Sequence, residues 1–210
     1  RMLRSALPLA FSAYARSALS TLEHLLVPRG LKSAGFSADR ALSGYGTIQG
    51  MVMPIISFPA CFLMALSELM IPELTEAQMR GERAEISRTV RSLLKKGSGY
   101  SLAVALAIFI FADRLGIAVY SSPEAGHFLR LLAPLIPIMY TDMLCDGCLK
   151  GLGQQMWNMG INVLDALLGV LLVWRVLPVY ALTGYICIIY FNECLNFALS
   201  MLRLRKVIRS

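Results

Sequence analysis

Long apolar stretches alternate with short polar breaks along this chain, and each stretch has the length of a membrane crossing. About 30 Å of hydrocarbon, climbed at 1.5 Å per residue, takes about 20 residues. Six stretches of that kind stand at 6–27, 45–70, 100–119, 128–149, 156–174 and 179–202. The pattern predicts an all-α membrane protein built as a bundle of six transmembrane helices.

Four of these stretches carry polar residues at helical spacing. Ser12, Arg16, Ser20 and Glu23 fall on one face of the first, and Asp142, Asp146 and Lys150 on one face of the fourth. Asn158, Asn162 and Asp165 mark the fifth, and Asn192, Glu193 and Asn196 the sixth. A charge at the bilayer centre costs about 2.5 to 3.5 kcal/mol on insertion scales, so aligned charges require a shared wet interior. The stripes predict a polar cavity inside the bundle.

Between the second and third stretches, 72–96 is the one long charged segment. Pro72 suits a first helical turn, Glu73 and Glu76 favour its positive end, and Lys95 and Lys96 favour its negative end before Gly97 and Gly99. Glu76 can pair with Arg80 and Glu85 with Arg88, while Leu74, Ala77, Ile86, Val90 and Leu93 offer an apolar face. The segment is expected to be an amphipathic helix at the cytoplasmic interface, or a solvated connector. Pro54 and Pro59 interrupt the second stretch and Pro134 and Pro137 the fourth, which predicts bent helices, as a moving transporter or a static bundle with packing kinks would have.

Composition agrees with a membrane origin: 57% of residues are hydrophobic and 16% charged, with a mean hydropathy of +0.62. The net charge is +7. Its distribution decides what that means. With an even number of crossings both termini lie on one side, and that side receives Arg1, Arg4, Arg80, Arg83, Arg88, Arg91, Lys95, Lys96, Lys150, Arg203, Arg205, Lys206 and Arg209. The other receives only Arg29, Lys32, Arg40, Arg114, Arg130 and Arg175. The excess predicts cytoplasmic termini and reads as a topology signal with some attraction to anionic headgroups. No nucleic-acid motif accompanies it, so nucleic acid is not an expected partner.

Other chemistry is sparse. His24 has no second His at ligand spacing and reads as a polar cavity or interfacial residue. Cys145 and Cys148 form a C-x-x-C inside an apolar helix without a second pair, so packing is favoured over zinc or redox chemistry, and no metal or cofactor is expected. There is no phosphate-cradling glycine loop, nucleophile elbow or H-E-x-x-H, which argues against an enzyme.

Several runs carry a family resemblance. Ala6-Leu7-Pro8-Leu9 through Leu25-Leu26-Val27-Pro28-Arg29, Tyr45-Gly46-Thr47-Ile48-Gln49-Gly50-Met51, and Leu69-Met70-Ile71-Pro72-Glu73-Leu74-Thr75-Glu76-Ala77 are three of them. Val119-Tyr120-Ser121-Ser122-Pro123-Glu124-Ala125 and Leu149-Lys150-Gly151-Leu152-Gly153-Gln154 continue the series. In order and spacing, over nearly the whole chain, they resemble the carboxy-terminal lobe of polysaccharide-biosynthesis and stage V sporulation protein B-like flippases. These belong to the multidrug/oligosaccharidyl-lipid/polysaccharide exporter superfamily, which includes MATE-like transporters.

The resemblance implies one six-helix lobe of a two-lobe transporter, the amino-terminal lobe lying outside this chain; an opening residue that is Arg1 rather than Met is in keeping with a fragment. It implies a bacterial cytoplasmic-membrane protein that flips a lipid-linked oligosaccharide or cell-wall precursor by alternating access. A sugar or pyrophosphate headgroup cannot cross hydrocarbon unaided, so the stripes would supply its groove. Arg16, with paired donors suited to phosphate oxygens, is the leading headgroup ligand, alongside Ser12, Ser20, Asn158, Asn162 and Asn196. An internal ion pair of Arg16 with Glu23 is the competing reading. Glu23, Asp142, Asp165 and Glu193 are candidates for proton or sodium coupling. Glu23 stands where the family pattern often has Asp, which keeps the acid and changes its reach. Asp142 with Lys150 also fits a simple helix-end marker. A cation-coupled multidrug exporter is the alternative function, and a non-transporting scaffold in cell-wall or spore-envelope assembly is a third.

Overall fold

A computed structural model describes residues 2–33, 35 and 38–209, and the side chains of 2–12, 38, 39, 41, 42 and 209 also lie outside the described residues. Among the described residues the regular structure is helical throughout: α1 (Met2–Ser33), α2 (Ala38–Thr47), α3 (Met53–Arg80), α4 (Arg83–Tyr120), α5 (Pro123–Leu132), α6 (Ile136–Gly151) and α7 (Gln155–Arg209). A π-helical turn, Ile48–Val52, joins α2 to α3, and a 3₁₀ turn, Ala133–Leu135, joins α5 to α6. Four helical stretches are long and apolar enough to cross a bilayer: Ser43–Arg80, Arg83–Tyr120, Pro123–Gly151 and Gln155–Ile208. This is a multi-pass membrane protein.

Three of the four prolines predicted to interrupt helices lie where proline is cheapest, and the break expected at Pro59 does not occur. Pro54 occupies the first turn of α3, directly after the π turn, and Pro134 lies in the 3₁₀ turn with Pro137 at the start of α6. A helix's first turn has no intrahelical use for the N–H that proline lacks. Pro59 and Pro72 are tolerated inside α3. Beside Pro59, the Tyr100 hydroxyl donates to the Pro59 carbonyl at 3.0 Å and the Tyr140 hydroxyl to the Ile56 carbonyl at 2.5 Å.

The segment expected as one interfacial helix at 72–96 is a helical hairpin. α3 runs on through Pro72 to Arg80, and Gly81, at φ +73°, ends it. The Gly81 N–H donates to Gln78 and the Glu82 N–H to Ala77, each at 3.1 Å, which closes the last carbonyls of α3 in a Schellman arrangement. α4 then continues without a break through Gly97 and Gly99, the glycines expected to stop it. Its buried positions Ile86, Val90, Leu93, Gly97, Ser101, Ala105, Ile108, Ala112 and Gly116 repeat at intervals of three and four along its whole length. Gly97 lies on this stripe because Leu144 packs against it. Of the two predicted surface pairs, Glu76 and Arg80 form a salt bridge, whereas Glu85 lies against Glu82.

The fifth and sixth predicted spans share α7. A straight helix of that length would reach about 80 Å at 1.5 Å per residue, far beyond about 30 Å of hydrocarbon. Ala181, at φ 52° and ψ −135°, breaks it into two helices.

The chain divides into two compact units: unit 1, Arg1–Tyr45 with Gln155–Asn196, and unit 2, Gly46–Gln154 with Phe197–Ser210. In unit 2, α6 is central, packed by α3 and α4, while α5 lies along α4. The most apolar part of the Pro123–Gly151 stretch is far more buried than that of α4. Tyr140, Leu144 and Leu149 are fully buried in α6. Cys145 and Cys148 share that core as free thiols. Ser122 caps α5 by accepting from the Ala125 N–H at 3.3 Å, and Arg130 forms a salt bridge to Asp113. In unit 1, Gly30 sits on Leu177 and Gly44 on Leu182, which ties α1 and α2 to the middle of α7. Val27, Leu31, Val173, Leu177 and Tyr185 form its apolar core.

Candidate functional site

Unit 1 gathers three of the four polar stripes. Arg16, Ser17 and Ser20 of α1 and Asn162 of α7 line a cavity of about 370 Å³, together with Ala13, Met159 and Val163. The volume lies at the small end of ligand pockets. Asn162 donates from Nδ2 to the Asn158 carbonyl at 2.9 Å and to Asn158 Oδ1 at 3.1 Å. That pair holds Asn158 buried while Asn162 faces the cavity. Arg16 is exposed, and no salt bridge joins it to Glu23 among the described residues. Its guanidinium is therefore presented to the cavity. Ser12, the fourth member of its stripe, is helical, and its side chain lies outside the described residues.

One turn further along α1, the Glu23 carboxylate meets the other two stripes at Gly169. A methyl group on Gly169 would lie 3.0 Å from Asn192 Nδ2 and 3.3 Å from Glu23 Oε2. Glu23 and Asn192 thus occupy the space that any larger residue at 169 would claim. Asp165, one helical turn before Gly169, lies within electrostatic range of both Glu23 and Arg16. Asp165 Oδ1 and Asn192 Oδ1 are buried without a hydrogen-bond partner among the described residues. Beside them His24 Nδ1 hydrogen-bonds the Tyr45 hydroxyl, and the Tyr45 ring meets Tyr185 edge-on at 5.6 Å between centroids. The result is a cluster of acids and an amide next to the Arg16 cavity, with two tyrosines at its side.

Periodicity assigned these residues to faces but missed two participants. Gly169 has no polar atom to announce it, although it stands one turn after Asp165 on the same stripe. Asn192 belonged to the fourth stripe without being chosen from it. Glu193 and Asn196, the candidates on that stripe, have interactions of their own. Asp142 belongs to unit 2, where it is buried in α6; Asp146 accepts from Ser200 at 3.4 Å, and Lys150 is exposed at the helix end. No group of three or more His, Cys, Asp or Glu that could hold a metal occurs among the described residues.

The profile of the MatE family matches residues 33–174. Two relatives come from Bacillus subtilis (strain 168). Sporulation protein YkvU is 28% identical over 153 residues, covering 73% of this chain and 34% of that protein. Stage V sporulation protein B is 26% identical over 153 residues, covering 71% of this chain and 28% of that protein. The chain therefore spans about a third of the length of the curated relatives it matches. No solved structure matches.

Proposed function

This chain belongs to the MatE family, and on that premise we propose that it forms one six-crossing lobe of a transporter that flips a lipid-linked oligosaccharide or cell-wall precursor by alternating access. α1 gives the first crossing, and Ala181 divides α7 into the last two. Both termini face the cytoplasm, and a second lobe of the same protein completes the passage across a bacterial cytoplasmic membrane. The observation that carries this reading is the cavity lined by Arg16, Ser20 and Asn162. It combines a permanent cation with neutral hydrogen-bonding groups, as a phosphorylated sugar requires.

Glu23 and Asp165, with the Asn192 amide between helices, form the coupling end of the site. Two carboxylates in a low-dielectric pocket share a proton or bind a monovalent cation more readily than they carry two charges. Arg16 lies within reach of Asp165, so loading that pair changes the field at the headgroup pocket. Asn158 supports Asn162, while Asn196 and Glu193 extend the polar face of the last helix, and Asp142 supplies a further acid in unit 2.

A second reading, a cation-coupled exporter of amphipathic drugs, draws on Tyr45 and Tyr185 beside Glu23, since aromatic and acidic walls suit organic cations. A leaflet-translocation assay in liposomes with the full-length protein separates the two. The flippase reading requires translocation of a lipid-linked sugar under an imposed proton or sodium gradient, with Arg16→Ala reducing the rate at least about tenfold, the loss of one charge-assisted hydrogen bond. Movement of cationic dyes that survives Arg16→Ala and is lost in Glu23→Gln would establish the exporter instead.

A further inference from the structure

At the end of unit 2 where α3 turns into α4, a cavity of about 550 Å³ is lined by Gln78, Arg83, Gln154, Arg203 and Lys206, with Ile86, Leu152, Val207 and Ile208 among its apolar walls. Three chain segments far apart in sequence build it: the Gly81 turn, the end of α6, and the carboxy-terminal end of α7. Its polar lining is three cations and two amides, and among the described residues no carboxylate contributes to it. Glu82 and Glu85, the nearest acids in sequence, are exposed and turned on each other.

Arg203 is half-buried and held as a fork on one acceptor, with Nε at 3.1 Å and Nη2 at 2.6 Å from Gln154 Oε1. This contact fixes the guanidinium and leaves the Gln154 amide nitrogen as a further donor. Among the described residues neither Arg83 nor Lys206 has a carboxylate at salt-bridge distance. Like charges brought around one concavity repel, and apolar walls strengthen that repulsion by excluding water. An anion relieves it.

We propose that this cavity is a binding site for a phosphoryl group, separate from the transport pocket of unit 1. Arg83, Arg203 and Lys206 grip its oxygens, with the Gln78 and Gln154 amides as neutral donors. The apolar walls suit the glycerol and upper acyl region of an anionic phospholipid, and the same cations accept a free phosphate. Either source would clamp the carboxy-terminal helix to the α3–α4 turn.

The test uses the full chain in nanodiscs, with thermal unfolding read against the mole fraction of phosphatidylglycerol in phosphatidylcholine. A parallel arm adds inorganic phosphate to pure phosphatidylcholine discs. Arg83→Gln with Lys206→Gln removes two charges and leaves the Arg203–Gln154 contact in place. Arg88→Gln with Lys95→Gln removes two charges from α4 outside the cavity. The site predicts that phosphatidylglycerol raises the melting temperature, that the cavity variant needs about tenfold more of it, and that the control variant responds as the parent does. A rise with inorganic phosphate, lost in the same variant, supports the site with a soluble ligand. Should the double variant fail to fold, Lys206→Gln alone, at an exposed residue, gives the same comparison with a smaller shift. Equal losses in the cavity and control variants, or no rise with either ligand, would overturn the proposal.

Discussion

Gly116 of unit 2 and Gly169 of unit 1 are put to opposite uses. In unit 2 glycine brings helices into backbone contact: a methyl group on Gly116 would lie 2.4 Å from the Gly126 nitrogen and 2.8 Å from the Ser122 carbonyl oxygen. In unit 1 the nearest neighbours of a methyl group on Gly169 would be the Asn192 amide and the Glu23 carboxylate. One unit is a scaffold whose glycines set helix spacing. The other holds a polar cluster in which a glycine makes room for two polar side chains. Stability and transport should therefore separate by unit when these positions are changed.

The largest effect is expected at Gly116→Ala. Backbone atoms cannot move aside as a rotamer can, so α4 and α5 must separate along their length. Overpacking of this kind costs about 3 kcal/mol, and it should appear as a loss of folded protein or a large drop in the detergent melting temperature. Normal melting of this variant would mean that the close crossing does not hold unit 2 together.

Gly169→Ala is the counterpart in unit 1. The new methyl meets the ends of two side chains that can rotate away, so the fold should survive with a melting temperature within about 2 °C of the parent, consistent with a few tenths of a kcal/mol. Transport should fall about tenfold, because Glu23 and Asn192 are displaced together. A variant that loses stability in proportion to transport would erase the distinction between the units.

Which parts of this contrast were legible in the sequence follows from the physics. The apolar stretches announce helices because hydrocarbon admits no unpaired backbone, and the turn signals mark most of their ends. Gly97 and Gly99 misled because glycine ends a helix only by adopting a left-handed conformation, and a sequence does not show whether Gly81 or Gly97 does so. Ile86, Val90 and Leu93, read as the face of a separate surface helix, are the first turns of the stripe that continues to Gly116. Periodicity also gives a residue's face but not its destination. That is why Asp142 can be grouped with Glu23, although the two belong to different units, and why the stripe pattern points to Asn162, which lines the unit 1 cavity, but not to Gly169.

A smaller effect tests the scaffold at its most buried hydrogen bond. Tyr140 is fully buried and donates to the Ile56 carbonyl beside Pro59. Tyr140→Phe keeps the ring and leaves the carbonyl short of a donor, at a cost of about 1 to 2 kcal/mol. Equilibrium unfolding in denaturant should show this as a lower midpoint with an unchanged slope. Tyr100→Phe should cost less, since Tyr100 is only half-buried and more open to other partners.

The smallest change is expected at the break in α7 at Ala181. A φ of 52° with ψ of −135° is glycine territory, because a Cβ there crowds the flanking peptides. Ala181→Gly removes that crowding but gives the unfolded chain more freedom, and the two effects oppose each other. The strain should win, for a net gain of up to about 1 kcal/mol, seen as a modest rise in melting temperature with transport intact. Ala181→Val, whose branched side chain resists this backbone still more, should shift stability the other way. If glycine destabilised and valine were neutral, the backbone at 181 would be helical, and α7 would have to turn back at the flanking Pro178 instead.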